Sequence, residues 1–366
     1  MRMKNRYIGA TFAVAHISLI LCFCAGLLAA CGGSSGTNTQ ATATPTQVPV
    51  NGFGTAANHV HAMLALPGNV LVLATHYGLF RSADGGATWQ KVAAGHGQLM
   101  EGLMTYALGV SSLNPQRLYV LTQIAVVPHP GVLGLYTSAD QGRTWKMALP
   151  YASITSGAIF SEEPGNDTPD EVYIYLPDQG ALGLKVSLDD GQHFSSTGTL
   201  PFEVITNVLA IPGAPGHLLA YGSSGLARSL DGGAHWQVLK GINGGINEMV
   251  TSGPHSPIYA SGDAGIYAST NEGQTFTLVN SDASYGSLTV SAEHTQIVYG
   301  ETGRTIYRSV DGGRTWTALP HINGNLGKLA VDPGNASVVY LSLSYPTAVY
   351  AFKESSASWQ SLTPQP

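Results

Sequence analysis

The stretch Ser82-Ala83-Asp84-Gly85-Gly86-Ala87-Thr88-Trp89 decides the fold, because it returns along the chain. Close copies are Ser138-Ala139-Asp140-Gln141-Gly142-Arg143-Thr144-Trp145, Ser229-Leu230-Asp231-Gly232-Gly233-Ala234-His235-Trp236 and Ser309-Val310-Asp311-Gly312-Gly313-Arg314-Thr315-Trp316. Two looser copies run from Ser187 through Asp189 to Phe194 and from Ser269 through Asn271 to Phe276, and a last, eroded copy keeps little beyond Ser358-Trp359. The aromatics fall at positions 89, 145, 194, 236, 276, 316 and 359, at intervals of 56, 49, 42, 40, 40 and 43 residues. All 5 tryptophans of the chain occupy this one position of the repeat. Self-similarity at such a period marks an array of supersecondary units, each completed by its neighbours.

The order of residue types has a mechanical reading. An apolar strand such as Gly78-Leu79-Phe80-Arg81 leads into each copy. The aspartate can accept hydrogen bonds from the backbone of a tight turn, and the glycine two residues later tolerates positive φ. The tryptophan opens the returning strand and offers a large apolar face to the next unit. Upstream lies a second hairpin, in the first unit Leu64-Ala65-Leu66-Pro67-Gly68-Asn69-Val70-Leu71-Val72-Leu73. Four short antiparallel strands in about 40 residues have the size of a propeller blade. The expected fold is therefore all-β: a single seven-bladed β-propeller of four-stranded antiparallel blades over residues 58–366.

The octapeptides closely resemble the Asp-box, or BNR, repeat (S-x-D-x-G-x-T-W) of sialidases, sortilin-type receptors, xyloglucanases and photosystem II assembly-factor-like propellers. In those families the box joins the third and fourth strands at the periphery, away from the ligand. The resemblance thus implies that Asp84, Asp140, Asp189, Asp231, Asn271 and Asp311, with Trp89, Trp145, Trp236 and Trp316, are structural. The box carries no single chemistry, so it fixes the fold rather than the function.

Composition narrows the remaining possibilities. Of 366 residues, 44% are hydrophobic and only 10% charged, with 45 glycines. Coiled coils need far more Glu, Lys and Arg. With 16 Lys+Arg against 22 Asp+Glu, there is no basic footprint for nucleic acid. The first thirty residues read as an export signal: Arg2, Lys4 and Arg6, an apolar run, then Leu28-Ala29-Ala30-Cys31. The small residues before Cys31 resemble the bacterial lipobox, which implies acylation of Cys31 and attachment to the membrane by lipid, on the outer side of the bacterial cell membrane. A membrane-spanning anchor is the alternative. Residues 31–57 carry seven Ser/Thr between Ser34 and Thr46, Pro45 and Pro49, and no charge, the composition of a flexible tether. The domain beyond it is expected to be a monomer.

In a propeller the second-to-third-strand loops and the links between blades share one end, where ligands bind. Those loops map to about residues 75–78, 123–134, 177–183, 222–225, 262–265, 301–304 and 344–347. The longest, around Gln123-Ile124-Ala125-Val126-Val127-Pro128-His129-Pro130, accounts for the widest repeat interval. On this end, His59 and His61 alternate along the first strand and His76 ends the next. If Gly68-Asn69 is the hairpin turn, His61 stands opposite His76, with His59 as a diagonal neighbour. Three imidazoles on one patch could hold Zn or Cu; hydrogen-bonded histidines closing the channel mouth are the alternative. The segment His59-Val60-His61 with Ala74-Thr75-His76-Tyr77-Gly78-Leu79 also looks like that of secreted propellers catalogued as glycosylhydrolases. The acidic run from Glu162 to Glu171 does not have EF-hand spacing and reads as a solvated turn.

Exo-sialidase chemistry needs an arginine triad, and most of Arg81, Arg117, Arg143, Arg228, Arg304, Arg308 and Arg314 belong to or adjoin boxes. Another glycosidase needs two carboxylates about 5–9 Å apart. Glu101, Asp178, Glu203, Glu248, Asp263, Asp282 and Glu301 lie on the expected face, with nothing to select a pair. The sequence therefore points to a surface-tethered binding module for a protein or glycan, with a glycoside hydrolase, with or without the first-blade metal, as the second reading.

Overall fold

The computed structural model describes residues 58–111, 113–125, 129–150, 171–345 and 347–363. The expected signal at 1–30, Cys31, the tether to residue 57 and most of the acidic run at 162–171 lie outside them. No helix among the described residues is long and apolar enough to cross a membrane.

The chain forms a seven-bladed β-propeller of antiparallel sheets in strict sequence order. The first blade is β1 (Val60–Leu66), β2 (Val70–Thr75), β3 (Gly78–Ser82) and β4 (Gln90–Val92). Six sheets show four strands. The third shows Val172–Tyr175, Leu184–Ser187 and Ser195–Ser196, and residues 151–170 before it fall outside the description. All seven second-to-third-strand loops fall where the repeat spacing places them.

Alternation explains the packing. β2, Val-Leu-Val-Leu-Ala-Thr, is buried throughout, because a blade is covered on both faces. Leu71 and Leu73 join a cluster with Val338, Tyr340 and Val349 of the last blade. Val70, Val72 and Ala74 join Leu118, Val120 and Tyr136 of the second. Each of seven such clusters lies between consecutive blades, and each receives one aromatic of the repeat: Trp89, Trp145, Phe194, Trp236, Phe276, Trp316 and Trp359. These aromatics reach back onto the preceding blade.

The turns are closed by a repeated bond set. Ser82 Oγ donates to Asp84 Oδ1 (2.7 Å) and accepts from Gly86 N (2.8 Å). Asp84 then accepts from Thr88 N at 2.9 Å and from Thr88 Oγ1 at 2.6 Å. Asp140 and Asp311 repeat this with Thr144 and Thr315. Where threonine is absent, His193 and His235 bring Nδ1 to within 2.6 and 2.7 Å of Asp189 and Asp231. At Asn271 the amide instead donates to Thr275 Oγ1. Gly86 and its counterpart Gly142 sit at φ 91° and 78°, where a side chain would be strained.

Among the described residues the ring closes without exchanging a strand, since the first and last blades are each complete in sequence order. Side chains and carbonyls join them instead: Trp89 Nε1 donates to Leu362 O (2.9 Å), and Thr347 Oγ1 donates to Asn58 O (2.8 Å).

The first hairpin departs from the expected register. Leu66 pairs with Val70, leaving a three-residue loop, Pro67-Gly68-Asn69, and a bulge falls between Val60 and Ala62. Proline is the cause: without an N–H, Pro67 cannot donate the ladder bond that a two-residue Gly68-Asn69 turn requires. His61 is thus the bulged residue rather than the partner of His76, and His76 N donates to His59 O at 3.0 Å.

Candidate functional site

A cavity of about 840 Å³ runs along the centre, lined by the innermost strands. His61 and Met63 enter it from β1, Tyr106 and Leu108 from the second blade, and Asn207 from the fourth. Glu248 and Lys328 enter from the strands Ile246–Val250 and Asn325–Asp332. His61 lines this cavity, and His59 and His76 gather beside it despite the shifted register. The bulge re-aims His61, so its ring lies 4.5 Å from that of His59, centroid to centroid, and His59 stacks on His76 at 4.9 Å. One ring nitrogen from each residue falls within 4.8 Å of those of the other two. His61 Nε2 and His76 Nδ1 are buried and make no hydrogen bond. Tyr106 and Tyr77 flank the group, at 5.1 Å from His61 and 4.9 Å from His76.

Electrostatics at this mouth favour uncharged states. Burial, reinforced by His59, His76 and Lys328, pulls His61 down to about 3, and burial with His59 lowers His76. Burial pushes Glu248 up to about 7, against the pull of Lys328 and of hydrogen bonds from Met249 N and Tyr221. Tyr221, wholly buried beside it, is raised well above the phenol range by burial and by the Glu248 charge. Sequence reasoning had Glu248 only as one of seven carboxylates and missed Lys328, Tyr106 and Tyr221. A charged residue inside an innermost strand, as in Ile-Asn-Glu-Met-Val, is the signal that selects it.

The other candidate carboxylates are engaged elsewhere. Glu101 meets His96 Nδ1 at 2.8 Å and accepts from Gly97 N at 2.7 Å. Asp263 accepts from Gly245 N, Glu301 from Arg304 N and Asp282 from Asn280 Nδ2. Glu203 stands beside Gly180, and only the backbone of Asp178 is described. Among the described residues, Glu248 is the one carboxylate lining the central cavity.

Four of the seven arginines among the described residues link blades or stiffen a blade edge. Arg81 Nε donates to Gln141 O and Arg228 Nε to Glu272 O, each in the next repeated turn. Arg117 pairs with Asp190 at 2.8 Å, and Arg308 with Glu354 at 3.1 Å.

The loop face also carries exposed aliphatic side chains. Leu99, Ile124 and Val132 belong to links and loops of the second blade, and Leu182 (62% exposed) and Val204 (64%) to those of the third and fourth. The Tyr136 hydroxyl ties the Leu99 and Val132 segments together by donating to both carbonyls.

No family model matches the chain. A protein described as xyloglucanase from Paenibacillus sp is 29% identical over 224 residues, covering 54% of this chain and 20% of its own length. The solved GH74 enzyme of Niastella koreensis superposes with a TM-score of 0.62 at 17% identity, over 80% of this chain and 52% of its own. YCF48 from Cyanidioschyzon merolae superposes with 0.57 at 15% identity, over 82% of this chain and 97% of its own. A structure of YCF48 bound to D1 peptide gives 0.58 at 14% identity. This chain spans a fifth of the xyloglucanase and about half of the GH74 structure, but nearly all of the YCF48 structures. The likeness to the solved structures is one of fold.

Proposed function

We propose that the protein is a binding module that holds a polypeptide segment against the loop face of the propeller, on the outer side of a bacterial membrane to which Cys31 attaches it by lipid. The observation that carries this reading is the set of exposed aliphatic side chains on the loop face, Leu99, Ile124, Val132, Leu182 and Val204, together with a central cavity lined, among the described residues, by a single carboxylate. Exposed apolar side chains on a face of accessible loops suit a protein contact, whereas hydrolysis of a glycosidic bond by the usual route needs a facing pair of carboxylates. The near-complete coverage of a YCF48 structure that carries a peptide supports the same reading. The Ser-x-Asp repeats then act as Asp-boxes in a purely structural role, consistent with the saturated bonding of Asp84 and its equivalents.

The experiment is affinity capture on the membrane of the source cell, comparing the full chain with Leu182→Asp and Val204→Asp. A partner held by the parent and lost from both variants, with unchanged melting temperature, supports the module. Equal capture by all three overturns it. Glycan arrays probed in parallel identify a carbohydrate ligand if that is the true occupant.

A glycoside hydrolase is the second reading, favoured by Glu248. A carboxyl held near 7 by burial can act as a general acid at neutral pH. Release of sugar from xyloglucan by the parent, absent in Glu248→Gln, would establish it.

A further inference from the structure

We propose that His59, His61 and His76 form a three-imidazole centre for a borderline transition-metal ion, Zn(II) or Cu(II), at the mouth of the central channel. Three observations converge on it. One ring nitrogen from each residue lies within 4.8 Å of the other two. Two of the rings, His61 and His76, bury a nitrogen that has no hydrogen-bond partner, although buried polar atoms are almost always satisfied. The backbone is bulged at His61, and bulges re-aim side chains at functional sites.

The donor set selects the ion. Imidazole nitrogens suit Zn and Cu, whereas Ca²⁺ and Mg²⁺ take oxygen ligands. Bonds of about 2.0–2.1 Å to a tetrahedral ion set nitrogens ~3.4 Å apart, so the nitrogens, all within 4.8 Å of one another, close by at most about 1.4 Å on binding. That movement is within reach of ring rotation. Tyr106 and Tyr77 flank the outer rings and limit how far they swing. The cation Lys328 lies on the same cavity and interacts with Glu248. Three protein ligands leave the fourth position to water or to a donor atom of whatever occupies the channel, as in open zinc sites. The centre does not depend on the identity of that occupant.

The test is metal retention by the full chain, purified without a histidine tag, stripped with chelator and dialysed against Zn(II) or, in a second arm, Cu(II). The expected result is about one equivalent per chain in at least one arm, and at least about tenfold less in His61→Ala and His76→Ala. Losing even an outer-shell partner typically costs ~10–100-fold in metal affinity. His294→Ala, at an exposed histidine away from the cluster, retains the parent value. No retention by the parent in either arm, or equal retention by His61→Ala, overturns the proposal. If the variants do not fold, X-ray absorption on the loaded parent decides. A shell of three imidazole nitrogens at about 2.0 Å supports the centre, and a shell dominated by oxygen or sulfur refutes it. Retention needs no peptide or glycan, so this outcome is independent of the binding experiment above.

Discussion

The two ends of the propeller treat polar groups in opposite ways. At the repeated turns, the serine hydroxyl and the Asp or Asn side chain are bonded within the turn itself. A hydroxyl bond from Thr88, backbone bonds and Ser82 hold Asp84 down to about 2, and the His235 backbone and ring do the same for Asp231. At the channel mouth, burial dominates instead and drives His61 down to about 3 and Glu248 up to about 7. One end spends its polar residues on shape. The other holds them in states they would not adopt in water, which is where perturbed groups signal function rather than architecture.

The contrast breaks first, and most visibly, at the box end. Trp89 is 5% exposed and closes the ring onto Leu362, so Trp89→Ala should cost about 3–5 kcal/mol by urea unfolding. The more exposed Trp359, bonded to Pro320 O, should cost less; equal costs would mean that the closing seam is no different from other blade junctions. Ser82→Ala removes one donor bond and strands Gly86 N, a loss of about 1–3 kcal/mol. In the parent, the depressed Asp84 stabilises the fold above the ordinary aspartate value, and that contribution disappears as pH falls toward 2. Melting curves from pH 5 to pH 2 should therefore slope more gently in Asp84→Asn than in the parent.

The smallest effect sharpens the mouth end. Glu248 faces Lys328 and Tyr221, and its folded value is raised, so its contribution is present at pH 4 and lost as pH rises through about 7. Glu248→Gln removes that loss and should gain on the parent as pH rises from 4 to 8. Parallel stability curves would mean that Glu248 is solvated like the other carboxylates.

The architecture was legible because the determinants are local and repeated. The spacing of Asp84, Asp140 and their copies counted the blades, and the strand signals around Thr75–Gly78 or Gly262–Gly265 placed the ligand-face loops. The mouth was legible only in part. His59, His61 and His76 were visible as a group, but their register hinged on whether Pro67 joins the loop and on a bulge that no local pattern announces. The strand position of Glu248 sets it apart from the other six carboxylates, but its character comes from burial beside Tyr221 and Lys328, 27 and 80 residues away in the sequence, which no local pattern shows. Closure of a ring creates such environments, and local propensity does not encode them.

The unshared closure has a mechanical consequence. Many-stranded rings can be latched by weaving one terminus into the opposite end's sheet, so that a pull must break a row of backbone bonds in shear. Here Asn58, the first described residue, is held to the last blade through the Thr347 hydroxyl, while Trp89 grips Leu362 from the rim. A pull applied at Asn58 acts directly on that seam and loads its contacts one after another, as a zipper is loaded. The junction between the first and last blades is thus the place where a stretched copy of this protein would yield first.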